Sequence, residues 1–172
     1  VNIQNIRIGA CSVTFKGEDL GHTKEGVEFE FEREFEDLIV DQYGSTPVDM
    51  ALTGQNLKVK VALAEPNTYN LSVAIPEGEY ESGSTDDRLN LGEDAGYQLR
   101  GDAGLLVLHP LKNASTNLSE DINVYKAVSV EKISLGYKVD EQRVIEITFR
   151  ALIDETYGAG RRLGHIGPSL IS

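Results

Sequence analysis

The chain has no tryptophan, one methionine, one cysteine (Cys11) and five prolines in 172 residues. A lone cysteine excludes an internal disulfide framework and a cysteine-based zinc site. No apolar run is long enough to cross a bilayer as a helix, and no signal-peptide pattern opens the sequence. The expectation is a soluble protein without a membrane anchor, made in a reducing compartment. Cations are also scarce, with 16 Lys and Arg against 28 Asp and Glu and a net charge of −12. Recognition of a nucleic-acid backbone needs clustered Lys and Arg, which the acidic segments lack.

The signatures of common chemistry are missing too. There is no Gly-x-Ser-x-Gly elbow, no phosphate-binding loop and no His-x-x-x-His pair. The run from Gly158 through Gly160 to Gly164 resembles a dinucleotide fingerprint. It has one residue too many before its third glycine, and no helix and strand follow it. His22, His109 and His165 stand alone in sequence. The acids around Asp86, Asp87, Asn90, Glu93 and Asp94 lack the ordered spacing of an EF-hand calcium loop. Asn70, Asn113 and Asn117 begin Asn-x-Ser sequons, which matter only on a secretory route. Carboxylates are plentiful, but none stands in a recognisable acid/base context. These absences lead to the expectation of no enzyme, no cofactor and no metal.

What is present begins with an alternation. Val27, Phe29, Phe31 and Phe35 fall on one side of a period-two pattern, and Glu28, Glu30, Glu32, Glu34 and Glu36 fall on the other. Only a β-strand separates residues in this way, so one face should pack inward and the other carry a row of five carboxylates. Like charges along one face repel unless cations or water compensate. The charge is concentrated accordingly. Glu18 to Asp41 carries −8, Glu77 to Asp94 carries −6, and the remainder is near +2.

Other segments read as strands. Leu57, Val59, Val61 and Leu63 alternate with Lys58 and Lys60, and Arg143 to Leu152 alternates in the same manner. Ile6 to Phe15, Leu105 to Leu108 and the β-branched run Val128 to Tyr137 complete the set. About six strands between Gly-rich turns indicate a mainly β fold, an antiparallel sandwich or barrel. One short helix is expected from Pro66 to about Ile75, although Tyr69, Leu71, Val73 and Ile75 also fit a strand; Asn67 and Asn70 weigh against the strand.

The chain reads as a single domain spanning 1–172. Its irregular parts are a long loop at 41–56, a Gly- and Ser-rich loop region at 77–104 and an extended tail at 156–172. Long loops in compact domains are usually functional or mobile. The tail contains Arg161, Arg162 and His165, no acid and four glycines, with little means of burying itself on its own domain.

The stretch Gly17 to Val27, with Leu20-Gly21-His22-Thr23 at its centre, resembles a turn in major tail tube proteins of long, non-contractile-tailed (siphovirus) bacteriophages. The strand after it, the excursion Asp41 to Asp49 and the strand from Leu57 are similar to that family as well. So is the end of the chain, Ile147 to Asp154 followed by Arg162 to Gly167. The likeness covers most of residues 15–65 and 144–168 but not the region from about 78 to 126, which reads as a lineage-specific insertion.

The resemblance implies a β-sandwich with one flanking helix, assembled as a homohexameric ring. Inner sheets of six subunits would join into one barrel, and rings would stack into a hollow tube conducting genomic DNA into the host. Such a protein is structural and resides in the virion tail after synthesis in the host bacterial cytoplasm. Its partners are further copies, a tail-tip initiator and a tail terminator, and DNA passes through the lumen without specific binding. In that setting Glu28, Glu30, Glu32, Glu34 and Glu36 would line the bore, or else an intersubunit seam or the outer wall. If the strand from Leu57 pairs with the acidic strand, Lys58 and Lys60 would oppose Glu32 or Glu34. Asp41, Tyr43, Gly44, Pro47, Asp49 and Gly54 would contact the next ring, and Arg161, Arg162 and His165 would dock on an acidic neighbour. Two other readings share the pattern: a tube subunit of a contractile tail or secretion system, and a monomeric β-sandwich module binding sugars or another surface ligand.

Overall fold

The computed structural model describes residues 9–169. Ten strands and one helix follow in the order β1 (Cys11–Phe15), β2 (Glu18–Asp19), β3 (Thr23–Ile39), β4 (Pro47–Leu63), α1 (Thr68–Ala74), β5 (Glu79–Glu81), β6 (Arg88–Asn90), β7 (Gly104–Pro110), β8 (Ile122–Ser129), β9 (Ile145–Ala151) and β10 (Gly164–Ile166). Eight of the strands form one sheet in the order β2-β1-β7-β8-β9-β4-β3, and β10 adds to β8. Every pairing is antiparallel. β5 and β6 make a separate small hairpin. The protein is mainly β, with one short helix at its flank.

The sheet curls around its core. Phe15 on β1 and Phe149 on β9 are separated by two strands in the sheet order, yet their rings lie 5.3 Å apart. Around them Val13, Val59, Val61, Leu63, Leu106, Val124, Ile145 and Ile147 are all buried. These are the apolar members of alternating strands, which a period of two sends to one face. The β1–β2 turn is tight because Lys16 and Gly17 both take positive φ (51° and 89°). Two left-handed residues in succession match the twist of the flanking strands.

The helix is one residue-pair shorter at its start than the sequence suggests. Asn67 caps it by accepting from the Asn70 N–H at 2.7 Å, which leaves Pro66 just outside. Asn70 is itself buried and donates to the carbonyls of Leu20 and Glu65 at 3.1 and 2.8 Å. These bonds explain why the helical alternative prevails over the strand alternation of residues 69–75. The cap and the buried amide satisfy groups that a strand here would leave unpaired.

Several expectations are corrected. The long loop at 41–56 is short: β4 already begins at Pro47, and only a 3-10 turn, Asp41–Tyr43, with its flanking residues joins it to β3. Val48, Met50 and Leu52 supply the apolar members that continue the strand. Pro47 is its first residue, where a missing N–H does little harm. Pro47, Asp49 and Gly54 are therefore strand residues. The run Val128 to Tyr137 is strand only to Ser129, and residues 131–144 hold no strand, helix or hydrogen-bonded turn. The region 77–104 contains β5, β6 and a 3-10 turn, Leu99–Gly101. The tail does bury part of itself, because β10 pairs with β8 through Gly164↔Val124, His165↔Asn123 and Ile166↔Ile122. Residues 6–8 of the first expected strand lie outside the described residues, as do 170–172 of the tail.

Candidate functional site

β3 and β4 are 17 residues each, more than twice the length of β7 or β9. β9 supports β4 only from Lys58 to Leu63. Beyond that, from about Phe31 to Ile39 and from Pro47 to Asn56, the two strands continue as a ribbon with no third strand. The register places Val27/Val61, Phe29/Val59, Phe31/Leu57, Arg33/Gln55, Phe35/Leu52 and Asp37/Met50 as partners. Directly paired residues share a face, so this side begins in the core and emerges into solvent. Val59 and Val61 are buried, whereas Phe31 is 44% exposed, Phe35 48% and Met50 58%. The aromatic face thus packs inward only at its base. Ile39, Val48 and Leu52 add to this exposed apolar surface near the tip, and Leu38 is exposed on the opposite side.

The opposite side carries the glutamates. The lysines of β4 lie nearer the base than expected, with Lys60 opposite Glu28 and Lys58 opposite Glu30. Lys60 Nζ lies 2.7 Å from Glu30 Oε1 and 3.5 Å from Glu28 Oε2. The hydrogen bond from Lys60 holds the Glu30 carboxyl below its ordinary range and raises the lysine in turn. Farther out, Glu32 faces Asn56 (3.3 Å from its Nδ2), Glu34 faces Gly54 and Glu36 faces Ala51. Among the described residues no cation comes within ion-pair distance of these three. A Cβ at position 54 would meet Glu34 Oε2 at 3.0 Å, so glycine leaves room for that carboxylate.

Where the ribbon leaves the domain, a groove of about 870 Å³ opens between its apolar side and the C-terminal segment. Phe29, Phe31 and Leu57 line one wall; Arg162, Leu163 and His165 line the other. The structure thereby brings Gly54, Arg162 and His165 together around one groove. Asp41, Tyr43, Gly44, Pro47 and Asp49 sit apart from it, at the ribbon tip, and Arg161 is exposed on the tail.

An aromatic cluster fixes the tail wall. The rings of Tyr125 and Tyr157 stack at 3.9 Å with a 6° interplanar angle, and Tyr125 Oη lies 2.9 Å from His165 Nδ1. Lys126 Nζ lies 3.4 Å from Asp154 Oδ1 beside them. Sequence reasoning missed this cluster, since residues 40 apart give no local signal. It also missed Val48, Met50 and Leu52, whose alternation was legible but broken by Pro47 and Gly54. The other histidines are engaged elsewhere, His22 with Glu65 and His109 with Asp121, each at 2.7 Å. Among the described residues no group of three or more His, Cys, Asp or Glu could hold a metal ion, and no helix is long and apolar enough to cross a membrane.

No protein-family model matches the chain, and no curated protein matches it in sequence.

Proposed function

We propose that the protein is a structural subunit that polymerises through its β3–β4 ribbon, as the tail tube protein of a siphovirus phage would. The observation that carries this reading is the ribbon itself. Among the described residues β3 ends the sheet, so one edge of a 17-residue strand has no partner there. Long open edges template pairing with another chain, and proteins that remain monomeric usually shorten, cover or break them. Here the opposite end of the sheet is the two-residue β2, while β3 is left long. Its apolar side is exposed as well, and a contiguous exposed apolar patch marks an interaction surface. Fully covering a side chain such as Phe35 or Leu52 contributes about 1.5–3 kcal/mol.

In the ring, the glutamates of β3 line the bore. They lie on the side of the sheet turned from the core, and among the described residues three of the five lack a cation. Duplex DNA carries about one negative charge per 1.7 Å of axis, so an acidic wall repels it and lets it slide. The ribbon tip, from Asp41 to Asp49, meets the next ring. Six copies form each ring, the initiator and terminator bound the tube's length, and the role is structural, not enzymatic. The same arguments serve a tube of a contractile tail or secretion system.

A second reading draws on the groove, whose apolar wall faces Arg162 and His165: a monomeric module for a small ligand. Concentration-dependent light scattering with electron microscopy separates the two. Growth into uniform hollow rings or tubes supports the tube subunit. Scattering that stays at the monomer value, with a ligand bound in the groove, favours the module.

A further inference from the structure

The segment Lys132 to Asp140 has the sequence of a strand, and among the described residues no strand pairs with it. Ile133, Leu135, Tyr137 and Val139 alternate with Lys132, Ser134, Gly136 and Lys138. Ile133 and Leu135 rest partly on the chain's own core and root the segment there. Its start is fixed by the Val130 N–H donating to the Thr148 carbonyl at 3.3 Å and by Glu131 accepting from Thr148 Oγ1 at 2.9 Å. Past that root, Tyr137 is 77% exposed and Val139 fully so. Buried or not, a run of such alternation fits a pleated, half-buried surface, and this one is offered to solvent.

The free edge of β3 is its complement. One face of β3 is apolar except at Arg33 and Asp37, and the other is an acidic row that meets cations, among the described residues, only at its base. The 132–140 segment is apolar on one face and carries Lys132 and Lys138 on the other. We infer that this segment of one copy adds as an antiparallel strand to the β3 edge of a second copy. In the register that sets Tyr137 beside Phe31, Val139 falls beside Phe29 and Ile133 beside Phe35. Lys138 then lies beside Glu30, within diagonal reach of the uncompensated Glu32, and Lys132 lies beside Glu36. Asp140 falls beside Glu28, which Lys60 already faces, and the favourable run ends there. Backbone pairing supplies affinity, and the alternating faces set the register.

Ile133 and Leu135 exchange part of their packing on the chain's own core, and past them the contacts given up are exposed ones. Lys138 pairs with Glu141 at 2.7 Å, both in solvent, and Arg143 lies over Tyr137 at 4.9 Å. Exposed ion pairs are weak and readily exchanged. Because donor segment and acceptor edge are different surfaces of one chain, the contact is head-to-tail. Such contacts close into rings when the rotation between copies permits. The inference rests on the assembly reading above only in taking a second copy as partner.

The test mixes two full-length variants in a Cys11→Ser background, one carrying Tyr137→Cys and the other Phe31→Cys, under mild oxidation. Both sites are exposed, so neither change disturbs the core. The expected result is a disulfide-linked heterodimer in severalfold excess over a control pairing Leu91→Cys with Phe31→Cys. Cross-linking no better than the control, while the unmodified chain still forms hollow tubes in micrographs, overturns the strand addition and leaves the tube reading standing. Specific cross-linking in assemblies that are neither rings nor tubes supports the strand addition and overturns the tube. Neither cross-linking nor association overturns both.

Discussion

At the residue scale, two side chains define what holds the domain and its acidic face. Lys60 is the cation that Glu28 and Glu30 share. Glu30 is held below its ordinary range in the folded chain, so its contribution is complete above the usual carboxylate range and lost as the pH falls through the folded value. Lys60 is raised, and its share persists until the pH climbs through that raised value. Replacing Lys60 with Gln should move the Glu30 titration upward, readable from carboxyl chemical shifts. An unchanged Glu30 curve would show that Lys60 is not the cause. Asn70 acts in the interior. Changing it to Ala withdraws two donors from the Leu20 and Glu65 carbonyls. The expected loss is about 1–3 kcal/mol, measured as a lowered denaturant midpoint at constant m.

At the element scale, the base of each strand and most of the β3 side of the ribbon were legible in the sequence, and the β4 side of the ribbon was not. Leu57 to Leu63 alternates without interruption and Val27 to Phe35 with Arg33 as its single break, and period two leaves them no other element. Residues 47–56 contain Pro47, Gly54 and two register shifts, the features that read as a loop when partners are unknown. The run 131–137 errs in the other direction: its pattern is that of a strand, but among the described residues no strand pairs with it. The tail's docking on β8 depends on Tyr125 and Tyr157, whose meeting no local pattern reveals. The glutamate row was legible in full, whereas the cations that meet it were expected opposite Glu32 or Glu34 and stand opposite Glu28 and Glu30. A ribbon that lies outside the core can be removed without unfolding it. Deleting residues 34–54 and joining Arg33 to Gln55 through Asn-Gly, a favoured two-residue hairpin loop, should leave a cooperative thermal transition close to that of the parent. The shortened chain should no longer self-associate in sedimentation. Retained association would assign assembly to another surface.

At the scale of the whole molecule, the charge is polarised: the acidic row lies on β3, and Arg161 and Arg162 stand exposed on a tail anchored to β8. In the proposed ring the tail of one copy docks on the acidic surface of another, so reversing both arginines to Glu should weaken assembly while leaving the monomer's unfolding midpoint in place. Surface substitutions away from packed features usually change stability by no more than about 0.5 kcal/mol. Assembly unaffected by the reversal would confine the tail to its own domain. The central claim is that this chain polymerises through the ribbon into a hollow tube. Electron microscopy of the concentrated full-length protein, side by side with the chain shortened at 34–54, tests it most directly. The account predicts uniform hollow rings or tubes with six-fold symmetry from the former and dispersed monomers from the latter. A full-length protein that stays monomeric at high concentration, even with tail-tip complexes added to seed growth, would contradict it.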